Sequence, residues 1–404
     1  MSTETAAPTT NAAKASARDA MRDNLREYGL VIALIAIMLF FQFTTNGVLF
    51  RPVNLTNLIL QNSYIIVMAL GMLLVIVAGH IDLSVGSVAG FIGAAAAVLM
   101  VDFGFHPLLA GLLCIALGAV IGGTQGYFVA YMKIPSFIVT LAGMLVFRGL
   151  SLWLLGGRSV GPFSTEFQML SAGFIPDPLG PWTIAGTKFH ATTLVIGLAI
   201  VALMLWAALK SRARREGHGY DAEPFGFFVL KNVVLSAIVL FLVYMLASYR
   251  GLPNVLIVMG ILIAAFVFVT KRMTFGRRIY ATGGNVKAAA LSGINTERLT
   301  FYIFAIMGAL AALAGLIFAA RLNMATPKAG NGMELDVIAA VFIGGASAMG
   351  GIGQVTGAVI GAFIMGVMNN GMSIMGINID WQQVIKGLVL LGAVAFDLYN
   401  KKKA

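Results

Sequence analysis

Apolar residues come in long unbroken runs along this chain, and polar residues gather in short clusters between them. Runs of about twenty apolar residues match the thickness of a bilayer core. The pattern predicts helices over 28–43, 58–78, 83–101, 108–130, 134–155, 191–209, 230–248, 253–270, 301–320, 336–349, 354–375 and 380–396, twelve in all. The stretches 79–87 and 344–353 are too glycine-rich for clean helix, so the count falls to ten or eleven if they interrupt a span. The expected fold is therefore all-α, a polytopic membrane protein of about 10–12 transmembrane helices. Residues 1–27, rich in Ser, Thr and Ala and then basic, are expected to form a disordered tail ahead of one membrane domain over 28–400. The first apolar run lacks a small-residue cleavage site, so it reads as a retained helix.

Composition agrees with this picture. Of 404 residues, 59% are hydrophobic and 11% charged, with a mean hydropathy of +0.91, too little polar surface for a soluble enzyme or a nucleic-acid-binding protein. The net charge of +11 belongs to the loops. With both termini in the cytoplasm, cytoplasmic segments hold 19 of the 27 Lys and Arg, the opposite side holds six, and Arg148 and Lys386 fall inside spans. This orientation puts 211–229 and 271–298 inside, and 157–190 outside.

Few residues offer chemistry. One cysteine, Cys114, excludes an internal disulfide, and the four histidines lack ligand spacing, so neither a metal nor a cofactor is expected. No phosphate-binding loop and no catalytic constellation is found, so no catalytic residue is assigned. Among the acids only Asp82 falls deep between apolar runs, while Asp336 and Asp380 sit at helix ends. That scarcity argues against an ion-coupled carrier. Glycines four apart, Gly118-Gly122-Gly126, Gly353-Gly357-Gly361 and Gly86-Gly90, read as close helix packing.

One connector stands out. In 271–298, Asn285 is placed to cap a helix of about two turns, Gly293 to end it in left-handed geometry, and Asn295 to cap the next long helix with Glu297 in its first turn. Gly283, Gly284, Asn285, Ala288, Ala289 and Gly293 are the residues expected to shape a docking helix outside the bilayer. Ala288 and Ala289 are read as its small-residue face.

This loop resembles the cytoplasmic coupling loop of permeases from bacterial sugar ABC importers, the ribose/xylose/galactose group. The same family is matched by Ala78-Gly79-His80-Ile81-Asp82-Leu83-Ser84-Val85-Gly86-Ser87, by Ala325-Thr326-Pro327-Lys328-Ala329-Gly330, by Glu334-Leu335-Asp336-Val337-Ile338-Ala339-Ala340, by Gly344-Gly345-Ala346-Ser347 and by Asn369-Asn370-Gly371. The similarity covers about 50–400. The coupling signature of such permeases begins Glu-Ala-Ala, whereas Val286 or Lys287 stands at the acid here.

The resemblance implies a half-pore in the bacterial inner membrane, paired as a homodimer. It also implies a pair of ATP-binding subunits on the cytoplasmic side, a periplasmic sugar-binding protein, and no chemistry in this chain. Extra material at 211–250, read as an insertion, is shared with longer xylose-type permeases, so D-xylose is the expected solute. Ribose, galactose, a branched-chain amino acid, or a stand-alone secondary carrier are the competing readings. Asp82, Ser84, Ser87, Asn369 and Asn370 are candidate pathway or gate residues. Asp82 reads either as lining the pathway or as capping the span from Leu83. The Glu334-Leu335-Asp336 stretch caps a span at 336 or faces the outer binding protein.

Overall fold

The computed structural model describes residues 29–184, 186–218 and 224–403. The expected tail over 1–27 and the start of the first helix lie outside them. Helix α1 spans Gly29–Thr44, and Pro52, needing no amide partner, opens the 26-residue α2, Pro52–Val77. Next come α3 (Val85–Ala97, continued by a π-helical turn through Asp102), α4 (Pro107–Ala130) and α5 (Ser136–Leu155). The following loop carries the short α6 (Thr165–Gln168) and an antiparallel hairpin of β1 (Pro181–Ile184) and β2 (Thr187–His190). Then follow α7 (Ala191–Gly217), α8 (Phe225–Ala247), α9 (Asn254–Arg272), α10 (Thr274–Gly284), α11 (Val286–Leu291), α12 (Thr296–Leu322), α13 (Met333–Ile343), α14 (Val355–Ile374) and α15 (Ile379–Lys403).

Among the described residues, nine helices are long and apolar enough to cross a membrane, and α1 is a shorter apolar helix. One expected span fails. The apolar run at 336–349 is not a membrane-long helix: α13 has 11 residues, about 16 Å, and stops at Gly344. Gly345, at φ 86°, turns the chain into the non-helical 344–354 segment. Apolar composition continues past the break, and the backbone does not.

Helix α2 is apolar all round and forms the centre, fully buried from Ile65 to Ala78. Helix α12 packs on α4, α2 and α3, α3 packs on α5, and α14 closes against α2 and α13. The glycine stripes make these contacts close. Gly122 lies against the Phe304 carbonyl and Gly308 against the Gly118 carbonyl, so a side chain at either position would enter backbone. Gly90 meets Ala329, and Gly361 meets Ala340. Helices α7 and α8 pair with each other at the periphery, and α8 leaves most of its surface uncovered.

Candidate functional site

The helix pair α10–α11 lies between two membrane-long helices, outside both. Asn285 Oδ1 accepts from the Ala288 amide at 3.0 Å and caps α11. Gly293 takes φ 84° where α11 ends. Asn295 Oδ1 accepts from the Arg298 amide at 2.8 Å and caps α12. Glu297, in the first turn of α12, pairs with Lys133 at 2.8 Å, which ties the α4–α5 turn to the same end of the bundle.

The inner side of the pair is set by close backbone contact. Gly283 packs on the Val77 carbonyl and the Gly351 amide, leaving no volume for a β-carbon. The Gly351 amide donates to that carbonyl at 2.8 Å, and Tyr280 Oη donates to the Gly353 carbonyl at 2.7 Å. Helix α10 is thus seated on the end of the central helix and on the 344–354 segment. Gly284 lies beside Gly351.

The outward face differs from the one expected. Ala289 is 5% exposed and turned into the chain, so it does not offer itself to a partner. Ala288 and Gly293 are exposed, and the prominent side chain is Leu291, 91% exposed, with Val286 beside it at 51%. The cap geometry is local and was legible. The rotation of α11 about its axis is fixed by packing, which the spacing of small residues does not encode.

Asp82 lies in the turn joining α2 to α3. The Ser84 amide and hydroxyl both donate to Asp82 Oδ1, at 2.8 and 2.7 Å, and Gln125 Nε2 of α4 donates to Ser84 Oγ at 3.0 Å. All three side chains are buried. Helix α3 begins at Val85 with Ser84 in the cap position, so Asp82 holds the turn before the helix rather than capping a span from Leu83. Ser87 belongs to a different group, since it accepts from Arg148 Nε at 3.2 Å.

Arg148 leads to the residues that sequence reasoning placed at helix ends. Its Nη2 pairs with Glu334 Oε1 at 2.9 Å, about 18 Å along α5 from Ser136. Two residues on, Asp336 takes Lys386 of α15 at 3.0 Å and Asn369 of α14 at 3.1 Å. Glu334 and Asp336 are 5% and 8% exposed. Both stand in the first turn of α13, where the helix dipole favours acids, and α13 begins inside the bundle. The chain enters through Gly330 and Gly332, both at positive φ, with Gly330 pressed on Gly86 of α3. Asn370, the neighbour of Asn369, accepts from Asn54 of α2 at 2.9 Å. The site therefore holds two buried acids, Glu334 and Asp336, besides Asp82. The signal for them was present as Arg148 and Lys386, two cations inside spans that needed partners. No group of three metal-ligating side chains comes together among the described residues.

Membrane-long helices thus surround the short, buried α13, and a capped helix pair is seated on the end of the central helix. Residues 54–394 match the family described as "Branched-chain amino acid transport system / permease component", and the chain belongs to it as a multi-pass membrane protein. It is 41% identical over 381 residues to the xylose transport system permease protein XylH of Escherichia coli K12, covering 94% of each chain. It is also 41% identical to XylH of Haemophilus influenzae, over 94% of this chain and 98% of that one. The ribose import permease protein RbsC of E. coli K12 is 33% identical over 94% of this chain and 95% of its own length. No solved structure matches.

Proposed function

We propose that the chain is the membrane-spanning subunit of an importer for D-xylose, lying in a bacterial inner membrane and driven by a separate ATP-hydrolysing subunit. The similarity to xylose permeases over nearly the whole length supports the solute. The observation that carries the mechanism is the seat of Gly283 on the Val77 carbonyl. The Leu291 face of α11 docks a pair of ATPase subunits on the cytoplasmic side. Their movement reaches the end of α2 and the 344–354 segment through α10. That segment is continuous with α13, so a shift there strains the Arg148–Glu334 and Asp336–Lys386 pairs at membrane depth. Two copies of the chain form the path, a periplasmic binding protein delivers sugar to the outer side, and both termini lie in the cytoplasm. The chain makes and breaks no bonds of its substrate. Asp82, Ser84 and Gln125 brace the inner end of the path, and Ser87, Asn369 and Asn370 belong to its polar wall.

Reconstitution in proteoliposomes tests this. The chain with its ATPase and binding protein is expected to accumulate labelled xylose only with ATP and binding protein present, whatever the ion gradients. Uptake that survives without the ATPase and collapses with an ion gradient would make it a secondary carrier. Ribose, the solute named for the 33% identical relatives, is the competitor to include.

A further inference from the structure

Helix α7 has 27 residues, about 40 Å, against a hydrocarbon core of about 30 Å, so its C-terminal turns project into the headgroup layer. Those turns carry Lys210, Arg212, Arg214 and Arg215, and Lys231 faces them from α8. Between the two helices lies a cleft of about 150 Å³, bounded by Ser211, Arg212, Arg215, Phe228, Lys231 and Asn232. That is about ten times the room a single water needs. The Arg212 guanidinium lies over Phe228 at 5.0 Å and Phe225 at 5.4 Å, and its Nε pairs with Glu216 at 2.8 Å. Lys210 Nζ lies over the Trp206 ring at 4.6 Å. Toward the bilayer, Trp206, Leu209 and Leu230 leave more than half of their surface uncovered. The sequence over 210–232 holds five Lys and Arg and three acids, of which Asp221 and Glu223 lie outside the described residues.

We propose that this cleft binds the phosphate of an anionic membrane phospholipid, whose acyl chains lie along the uncovered apolar flank of α7 and α8. Three features select a lipid over a soluble acidic partner. The length of α7 puts the cleft at headgroup depth, its floor includes Ala208 and Phe228, and one of its cations, Arg212, lies over Phe228 and Phe225, with Lys210 over Trp206 on the adjoining bilayer side. A basic residue near an anionic leaflet is worth about fivefold in local concentration of anionic lipid.

Trp206 reports on the site directly. The full chain with Trp153, Trp182 and Trp381 changed to Phe is reconstituted in phosphatidylcholine nanodiscs. These contain a minor fraction of brominated phosphatidylglycerol, or the same fraction of brominated phosphatidylcholine. Phosphatidylglycerol is expected to quench Trp206 about fivefold more effectively. Arg215→Gln with Lys231→Gln is expected to abolish that preference, and Arg277→Gln with Arg278→Gln, which removes two charges elsewhere, to leave it intact. Equal quenching by the two lipids in the parent chain overturns the proposal, whatever the variants do. So does equal loss in both double variants, which would make the effect one of net charge. Displacement by inorganic phosphate would assign the cleft to a soluble anion instead.

Discussion

Gly283 rests against the carbonyl of Val77, the last residue of the central helix, in a space that admits no β-carbon. At this point the capped helix pair meets the end of the central helix backbone to backbone, beside the side-chain contacts of Ile279 and Tyr280, so a displacement of one is passed to the other. Gly283→Ala forces the contact open at a cost of about 1–3 kcal/mol. The outward face of α11 is untouched by the change. Co-purification of the ATPase should stay near normal while ATP-driven uptake falls by about tenfold or more. Uptake at the parent level in a well-folded Gly283→Ala variant would remove this contact from the mechanism.

The two faces of α11 make opposite predictions. Leu291, almost wholly exposed, is expected to fill an apolar site on the partner, so Leu291→Asp should abolish ATPase association and leave the chain's own stability unchanged. Ala289 is buried within the chain, and Ala289→Asp would bury an unpaired carboxylate at a cost of several kcal/mol. Its expected effect is loss of folded protein in fluorescence-detected size-exclusion chromatography. Normal stability for Ala289→Asp with lost association would restore the small-residue face read from sequence.

What sequence showed depended on range. Asn285, Gly293 and Asn295 act on amides and dihedrals within a few residues of themselves, so their roles were visible in spacing. The burial of Glu334 was not, because its partner Arg148 lies 186 positions away and only the fold brings them together. Apolar runs gave most helices, because burial in lipid or protein requires them. They overran at 336–349, where Gly344 and Gly345 end the helix inside a run whose composition does not change.

The Arg148–Glu334 pair should be costly to break and cheap to replace. Glu334→Ala leaves Arg148, about one-third exposed, with Ser87 as its remaining partner, a loss of about 1–3 kcal/mol. Arg148→Met combined with Glu334→Leu removes both charges and should recover most of the thermal stability. If uptake nevertheless stays low in that stable double variant, the charges serve transport. If the double variant is no more stable than Glu334→Ala, the pair is not the source of the effect.

Orientation can be read with single cysteines in a Cys114→Ser background. The excess of Lys and Arg on one side expects Ser292→Cys and Ser211→Cys to be labelled only from the cytoplasm, and Ser164→Cys only from outside. Labelling of Ser292→Cys by an impermeant maleimide on intact cells would invert the topology and move the docking face to the wrong side for an ATPase.

Asp177 anchors the start of α7. Its Oδ2 accepts from the Ala191 amide at 3.0 Å, and its Oδ1 accepts from the Thr192 amide at 2.9 Å and from the Thr192 hydroxyl at 2.6 Å. Desolvation pushes its carboxyl up, but the Thr192 and Ala191 bonds and the nearby His190 outweigh it and hold the group below the usual carboxylate range. A depressed value in the folded state means stabilisation that is fully present above the ordinary value of about 4 and is lost as pH falls through the depressed one. Hydrogen exchange of the Ala191 and Thr192 amides, corrected for intrinsic rates, should therefore show constant protection from neutral pH down to about 4 and a fall below it. Asp177→Asn retains an oxygen acceptor and loses the charge, so its protection should be weaker throughout and flat across the same window. The same acid-dependent loss in Asp177→Asn would assign the titration to another group and leave Asp177 as an uncharged cap.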